Sequence, residues 1–347
     1  MRVKMIVAYD GTNYSGWQVQ PNGITIEQKL NEALTALLKE EIKVTGASRT
    51  DAGVHSLGNV CIFDTTTRMP AEKISYAVNQ RLPEDIVVQD SCEVDESFHP
   101  RFSKSRKTYE YRILNRRFRM PTRRLDTYFY HHALDVEKMQ DAAQYLVGEH
   151  DFKSFCAANA QSQTSIRTIY TCTVTREHDI ITIRVQGNGF LYNMVRIIAG
   201  TLMQAGMGMY PPEHVKEILE ARDRRLAGQT APAKGLTLIG IEYEKEQKKE
   251  IRGGNEHWAY TLDQRELSGK GRSVLTVEFC EEAELFRLVG RMVHQAYRNG
   301  AKEVYVRFPK ERPGTDGERF GHYRIRRARE REDGALENLW LAEFMRN

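Results

Sequence analysis

Asp51 lies in the run Gly46-Ala47-Ser48-Arg49-Thr50-Asp51-Ala52-Gly53-Val54-His55, which gathers a carboxylate, a guanidinium and an imidazole into one short segment. A carboxylate there could serve as a nucleophile if it stays ionised. An aspartate before a small residue and a glycine is also an ordinary turn former. Arg49 fits a surface equally well, and His55 fits a hydrogen-bonded loop or core position. Spacing alone leaves both readings open. A second candidate is Arg196, set in Asn193-Met194-Val195-Arg196-Ile197-Ile198. An arginine among so many apolar side chains either reaches to solvent at the helix edge or needs a partner. Pairing with a carboxylate would keep that carboxylate charged, which a nucleophilic aspartate requires.

A third feature is a dense basic stretch. Arg101, Lys104, Arg106, Lys107, Arg112, Arg116, Arg117, Arg119, Arg123 and Arg124 are opposed within it by Glu110 alone, and Phe102, Tyr109, Tyr111 and Phe118 are interleaved. Basic side chains neutralise phosphates and aromatic faces stack on unpaired bases. A solvated charged face is the plainer explanation, but the density and the aromatic content favour a nucleic-acid surface.

These residues need a scaffold. Val3, Met5, Val7 and Tyr9 alternate, which predicts an opening strand. Residues 25–40 carry Ile26, Leu30, Leu34, Leu37 and Leu38 at helical spacing, with Thr25 and Gln28 placed as a capping box. Val60 to Phe63 reads as a buried strand, Pro70 starts a helix bearing Ile74, Val78 and Leu82, and Ile86 to Val88 is strand-like. Tyr109, Tyr111 and Ile113 alternate with Glu110 and Arg112, giving a strand with one aromatic face. The second half repeats the ingredients. Asp135 caps a helix through Met139, Ala143, Leu146 and Val147, ended by Gly148. Residues 168–176 and 180–186 form a hairpin about Glu177-His178-Asp179. Phe190 to Leu202 is a strongly apolar helix, a shorter helix follows Pro212, and Thr237 to Tyr243 is a strand. Strands and helices joined by hairpin-length links argue an α+β fold with largely antiparallel sheets.

Residues 244–256 lack an apolar face and contain Gly253-Gly254, so they read as a linker. The expected organisation is a first domain at 1–115, a second at 116–243, the linker, and an accessory domain at 257–347. Within the last, a strand (Val274 to Phe279), a helix (Glu282 to Arg298) and a strand (Glu303 to Phe308) suggest a small βαβ-like unit. Arg319 to Arg331 is again basic, with Phe320 and Tyr323 interleaved, and either extends a nucleic-acid surface or is a solvated face balanced by Glu330, Glu332 and Asp333.

Composition narrows the class. The 347 residues carry a formal net charge of +4, too mild to identify a partner. The five cysteines form no C-x-x-C pair and suit neither a zinc site nor a disulfide framework, so a reducing compartment is expected. The N-terminus has no apolar signal core, and no stretch is apolar enough to span a membrane. A soluble cytoplasmic protein is the expectation.

The sequence resembles the TruA-type tRNA pseudouridine synthases from its first strand to about residue 243, through six motifs in order. They are Tyr9-Asp10-Gly11-Thr12-x-Tyr14-x-Gly16-Trp17-Gln18-x-Gln20, Arg49 to His55, Lys107-Thr108-Tyr109-Glu110-Tyr111, His150-Asp151-Phe152-x-Ser154-Phe155, Gly189-Phe190-Leu191-x-x-Met194-Val195-Arg196, and Gly228-x-Thr230-Ala231-Pro232-Ala233-x-Gly235-Leu236. One short match would be weak, but six in order are specific. The resemblance implies two similar α/β domains with a cleft between them, a homodimer, no metal and no organic cofactor. It implies tRNA as partner, with uridines of the anticodon stem-loop converted to pseudouridine. It makes Asp51 the nucleophile, at C6 or C1′, and Tyr109 the ring that packs on the target base and takes part in proton transfer. Arg196 becomes the partner of the aspartate and Arg49 a residue that helps displace the base. Lys104, Arg106 and Lys107 are candidate RNA contacts. One position departs: Ser48 stands where the family often has glycine, and would be strained if that backbone needed a positive φ. A non-catalytic RNA-binding protein or RNA chaperone on the same scaffold is the alternative, with residues 257–347 as its motive.

Overall fold

The computed structural model describes residues 1–157 and 164–243, and beyond them 249–254, 258–267, 270–280, 282–298, 303–307, 319–320, 323–327 and 339–344. The chain separates into two compact units, Met1–Glu244 and Lys245–Asn347.

The first unit is built on one ten-stranded sheet. Its strands are β1 (Arg2–Tyr9), β2 (Thr45–Gly46), β3 (His55–Asp64), β4 (Ile86–Val94), β5 (Ser105–Asn115), β6 (Tyr128–Tyr130), β7 (Gly148–Asp151), β8 (Ile166–Glu177), β9 (Ile180–Gly187) and β10 (Leu236–Tyr243). The order is β4-β1-β3-β10-β5-β9-β8-β7, with β2 added to β3 and β6 to β5. The pairing is antiparallel except between β10 and β3 and between β5 and β6. The α+β class and the largely antiparallel sheet expected from the sequence are present. Helices α1 (Ile26–Leu38), α2 (Ala71–Asn79), α3 (Val136–Gln144), α4 (Met194–Gly206) and α5 (His214–Ala221) flank it.

The sheet is continuous, but its apolar residues form two cores. One gathers Val3, Met5, Val7 and Tyr9 of β1 with Ile26, Leu30 and Leu34 of α1 and Ile74 and Val78 of α2. The other gathers Tyr109, Tyr111 and Ile113 of β5, Ile181, Ile183 and Val185 of β9, and the inner face of α4. Each fully buried leucine or isoleucine contributes about 1.5–3 kcal/mol relative to exposure. The expected boundary at residue 115 would put β5 in the first half. Its inward side chains instead belong to the second core, because β10 has entered the sheet between β3 and β5.

Local signals account for most element ends. Thr25 accepts a hydrogen bond from the Gln28 amide at 3.3 Å, and Asp135 one from Lys138 at 3.1 Å, which fixes the starts of α1 and α3. α3 stops at Gln144, earlier than the periodicity suggests. Leu146 stays buried but bonds back to Ala143, and Gly148 at φ 117° turns the chain into β7. α4 begins at Met194 rather than Phe190, because Asn193 at φ 60° is left-handed and interrupts the helical backbone just before it.

The second unit has strands β11 (Lys249–Gly254), β12 (Trp258–Leu267), β13 (Lys270–Cys280), β14 (Glu303–Arg307), β15 (Arg319–Phe320), β16 (Tyr323–Arg327) and β17 (Leu339–Phe344), in the order β11-β12-β13-β14-β17-β16-β15. Helix α6 (Glu282–Arg298) connects the parallel pair β13 and β14. Its Leu285, Leu288, Val289, Met292, Val293 and Ala296 recur three or four residues apart and are buried with Leu275, Val304, Val306 and Ile325. The anticipated strand–helix–strand is therefore present. The anticipated linker is not wholly a linker, because Lys249–Gly254 pairs with Ala259–Gln264 as a strand. A neighbouring strand supplies hydrogen bonds that a sequence without an apolar face does not announce. Residues 244–248 and 255–256 of that segment, and 321–322 and 328–331 of the basic stretch with Glu332 and Asp333 beyond it, lie outside the described residues. Among the described residues, no helix is long and apolar enough to cross a membrane.

Candidate active site

The segment from Gly46 to Val54 joins β2 to β3, and loop 10–17 holds it from one side. The amide of Trp17 donates to the Thr50 carbonyl at 3.0 Å, and the amide of Gly53 to the Tyr14 carbonyl at 3.3 Å. The Tyr9 hydroxyl shares a hydrogen bond with that of Thr50 at 2.7 Å. Two glycines permit the approach. A Cβ on Gly11 would lie 2.0 Å from the Val54 carbonyl oxygen. Gly16 has φ 90°, and a Cβ there would lie 2.5 Å from the Thr50 oxygen. His55 Nε2 donates to the Leu125 carbonyl (2.9 Å), and its Nδ1 lies 3.1 Å from both the Gly11 amide nitrogen and Asp10 Oδ1. One imidazole thus ties the loop to its neighbour and to the segment after β5.

From beneath, Asn59 grips Ser48. Its Oδ1 accepts from the Ser48 amide at 3.3 Å, and its Nδ2 donates to the Ser48 carbonyl at 3.0 Å. Asn59 is completely buried, and so replaces a neighbouring strand as the partner of this backbone. Ser48 is absent from the residues with positive φ, so the serine brings no backbone strain. The left-handed position in this loop is Gly53, at φ 77°.

Asp51 and Arg196, 145 residues apart, meet at the gap between the two cores. Arg196 Nη1 lies 3.3 Å from Asp51 Oδ2, with side chains 17% and 23% exposed. Arg196 also donates from Nε to the Ala231 carbonyl at 2.7 Å and from Nη1 to Asn193 Oδ1 at 2.9 Å. Its own carbonyl accepts from the Ala231 amide at 3.1 Å. The close pass of segment 228–231 over α4 needs Gly200 and Gly228, where a Cβ would lie 1.9 Å from the Gln229 oxygen and 2.5 Å from the Thr201 nitrogen. The guanidinium is therefore aimed by three bonds, and the other oxygen of Asp51 accepts no hydrogen bond among the described residues. Burial pushes the Asp51 carboxyl above the usual carboxylate range, and the charge and hydrogen bond of Arg196 oppose that rise without reversing it.

Tyr109 closes the other side. Its ring meets Phe190 edge-on at 5.2 Å. Burial pushes its phenol up to about 12, the Asp51 charge adds to the rise, and the nearby Ser48 hydroxyl opposes it. That Ser48 hydroxyl makes no well-formed hydrogen bond of its own. The site thus combines a half-buried carboxylate with one open oxygen, a cation that holds it, and a neutral phenol. It is suited to nucleophilic attack and short-range proton transfer.

A sequence model of the family described as tRNA pseudouridine synthase matches residues 5–103 and 142–244. The tRNA pseudouridine synthase A of Thermoanaerobacter sp. (strain X514) is 48% identical over 241 residues, 70% of this chain and 99% of that protein. Those of Acetivibrio thermocellus and Geotalea uraniireducens are each 46% identical, again over 70% of this chain and 99% of theirs. The chain belongs to the tRNA pseudouridine synthase family. The family match contains Asp51 and Arg196, passes over 104–141, where Tyr109 lies, and stops at the end of the first compact unit.

The other candidates are distributed around this candidate site. Arg49 is exposed on the loop, close enough to Arg101 for the two charges to repel. Lys104 and Arg106 are exposed, and Arg106 lies over the Tyr170 ring at 4.7 Å. Lys107 is half-buried under the loop, its Nζ donating to the Ala47 carbonyl at 3.0 Å. The basic stretch is less uniform than its sequence. Glu110 pairs with Arg112 at 2.9 Å and Arg184 at 2.6 Å, while Arg116 and Arg123 find Asp179 and Asp126. Sequence reasoning missed Asn59 and Asn193. The signal for Asn59 was a lone amide immediately before the apolar run Val60-Cys61-Ile62-Phe63; Asn193 gave none, since its role depends on a left-handed backbone. Among the described residues no group of three or more histidine, cysteine, aspartate or glutamate side chains is placed to hold a metal.

Proposed function

We propose that this protein isomerises uridine to pseudouridine in the anticodon stem-loop of tRNA, with Asp51 as nucleophile. The observation that carries the reading is the Asp51–Arg196 pair, a carboxylate with one oxygen held at 3.3 Å and the other open, at the gap between the two cores of the sheet. The reaction breaks the N1–C1′ bond, turns the detached uracil and joins C5 to C1′. N1 gains a proton and C5 loses one, so no atoms or electrons are added. Asp51 attacks the nucleotide at C1′ or C6 and is released when the new bond forms. Arg196 keeps the carboxylate ionised against its burial. Tyr109, neutral throughout the physiological range, packs on the base and moves protons by hydrogen bonding. Arg49, at the rim, helps displace the base from its stack, at a cost of about a few kcal/mol. Exposed basic and aromatic residues of the 101–124 stretch, among them Lys104 and Arg106, offset that cost by phosphate contact and stacking. In the same reading the enzyme works in the cytoplasm as a homodimer, which light scattering tests.

The deciding experiment is site-resolved pseudouridine mapping on unmodified tRNA treated with wild-type and Asp51→Ala protein. Wild type should modify anticodon-arm uridines. The variant should modify none while still binding tRNA. Full modification by the variant would overturn the role of Asp51.

A further inference from the structure

Lys107 has no part in the chemistry of Asp51, Arg196 and Tyr109, yet its placement is costly. Its Nζ donates to the Ala47 carbonyl at 3.0 Å, and Arg101 Nε donates to the adjacent Gly46 carbonyl at 2.7 Å. Two successive carbonyls just upstream of Asp51 are thus met by two cations from β5 and the loop before it. The charges that act on Lys107 are those of Arg101 and Arg167, both repulsive. Arg101 is repelled by Arg49 in turn and drawn only by Glu27. No carboxylate lies within ion-pair distance of Lys107 or Arg101 among the described residues. Burial and these neighbours pull the ammonium down to about 8.

A buried carbonyl needs a donor but not a charge, and a serine or asparagine would satisfy it without repulsion. Asn59 does so for the next residue, Ser48. Gathering cations where neutral donors suffice is reasonable when the compensating anion arrives with the ligand. Among the described residues, Lys107 keeps two N–H donors beyond the one given to Ala47, and Arg101 keeps its terminal amino groups. On the reading that tRNA is the substrate, the anion next to the target base is a backbone phosphate. We propose that Lys107 and Arg101 form a phosphate-binding site that takes the RNA backbone beside the flipped uridine and registers the strand against the Asp51 loop. This deepens the proposed function and rests on it.

The test is binding of an unmodified anticodon stem-loop to the full chain across a salt series, for wild type, Lys107→Met, Lys107→Arg and Arg101→Gln. Lys107→Met should weaken binding at least tenfold and reduce the slope of log affinity against log salt by about 0.7–0.9, the release expected for one phosphate. Lys107→Arg should restore both. Arg101→Gln should reduce the slope likewise, and answers the question if Lys107→Met does not fold. A second readout is pH. The charged groups acting on Lys107, Arg101 and Arg167, do not titrate near neutrality. Wild-type affinity should therefore fall between pH 7 and 9 as Lys107 loses its proton, and Lys107→Arg affinity should not. A folded Lys107→Met protein with the wild-type salt slope would overturn the phosphate site and leave the synthase reading intact. Failure of wild type to bind the stem-loop at all would instead overturn the reading on which the site rests.

Discussion

Replacing Arg196 with methionine removes the charge that holds Asp51 ionised while keeping most of the side-chain volume. Two unit charges 3.3 Å apart interact by roughly 5 kcal/mol at an effective dielectric of about 20. Both side chains keep some solvent contact, 17% and 23%, and screening lowers the working figure to about 2–4 kcal/mol. Burial already raises the Asp51 carboxyl, and Arg196 supplies the opposing pull. Without it the carboxyl rises further, and the acid limb of the pH–rate profile moves up by about 1.5–3 pH units. Below that limb the ionised fraction falls by roughly 30- to 1,000-fold, at about 1.4 kcal/mol for each factor of ten. The assay is single-turnover pseudouridine formation on tRNA from pH 5 to 9, with thermal unfolding as a control for folding. Arg196→Met should lose most activity at low pH and recover part of it as pH rises. Arg196→Lys should keep the limb near its wild-type place but lose turnover, because one ammonium cannot reach Asp51, Asn193 and Ala231 together. A folded Arg196→Met protein with an unshifted acid limb would refute the electrostatic role of the pair.

Asp51→Asn should abolish activity and yet raise the melting temperature at pH 7. The folded carboxyl titrates above its unfolded value, so its stabilising contribution is present below the unfolded pKa and lost as pH rises through the folded one. The gain of the variant should therefore vanish in acid, as calorimetry at pH 7 and pH 3 would register. Gly11→Ala places a Cβ 2.0 Å from the Val54 oxygen, which backbone cannot yield cheaply. It should cost about 1–3 kcal/mol and most of the activity, read by urea unfolding and turnover. Truncation after residue 244 keeps every element of the first compact unit and the whole family match. The shortened protein should fold and modify tRNA; an equal affinity and salt slope would show that the second unit adds no tRNA contact.

The elements of the first unit were legible because their signals are local. Thr25 and Asp135 are caps, the β1 and β5 alternations face one core each, and the β8–β9 hairpin turns at His178, at φ 52°. The entry of β10 between β3 and β5 was not legible, since nothing in Leu236–Tyr243 says that its partners lie about 130 and 180 residues earlier. At the site, the apolar surroundings of Arg196 left open whether it reaches solvent or pairs with a carboxylate, and did not say which carboxylate. The ordered motifs pointed to Asp51, and the fold brings the two together. Within the basic stretch, the pairing of Glu110 with Arg184 and of Arg116 with Asp179 was not legible, because β9 and the turn before it come alongside only in the fold, whereas Asp126 lies three residues from its partner Arg123.

The Asp51 site also explains why so much of the surrounding sequence is committed to one loop. In the proposed role the Asp51 carboxylate must shed water to attack, and shedding water favours its protonation. Arg196 counters that tendency only if its distance is held, and its reach is fixed by Ala231 and Asn193 on one side of the pair. On the other side Asp51 is fixed by its backbone, through Trp17 on Thr50, Tyr14 on Gly53 and Asn59 on Ser48. A flexible loop would let the carboxylate turn to solvent, where it would stay ionised without help but lose the desolvation that the proposed attack requires. The six motifs are accordingly not six separate functions. The first, second, fifth and sixth are two clamps, one on each partner of a single ion pair, and their spacing in the sequence is long because the clamps close from opposite cores of one sheet.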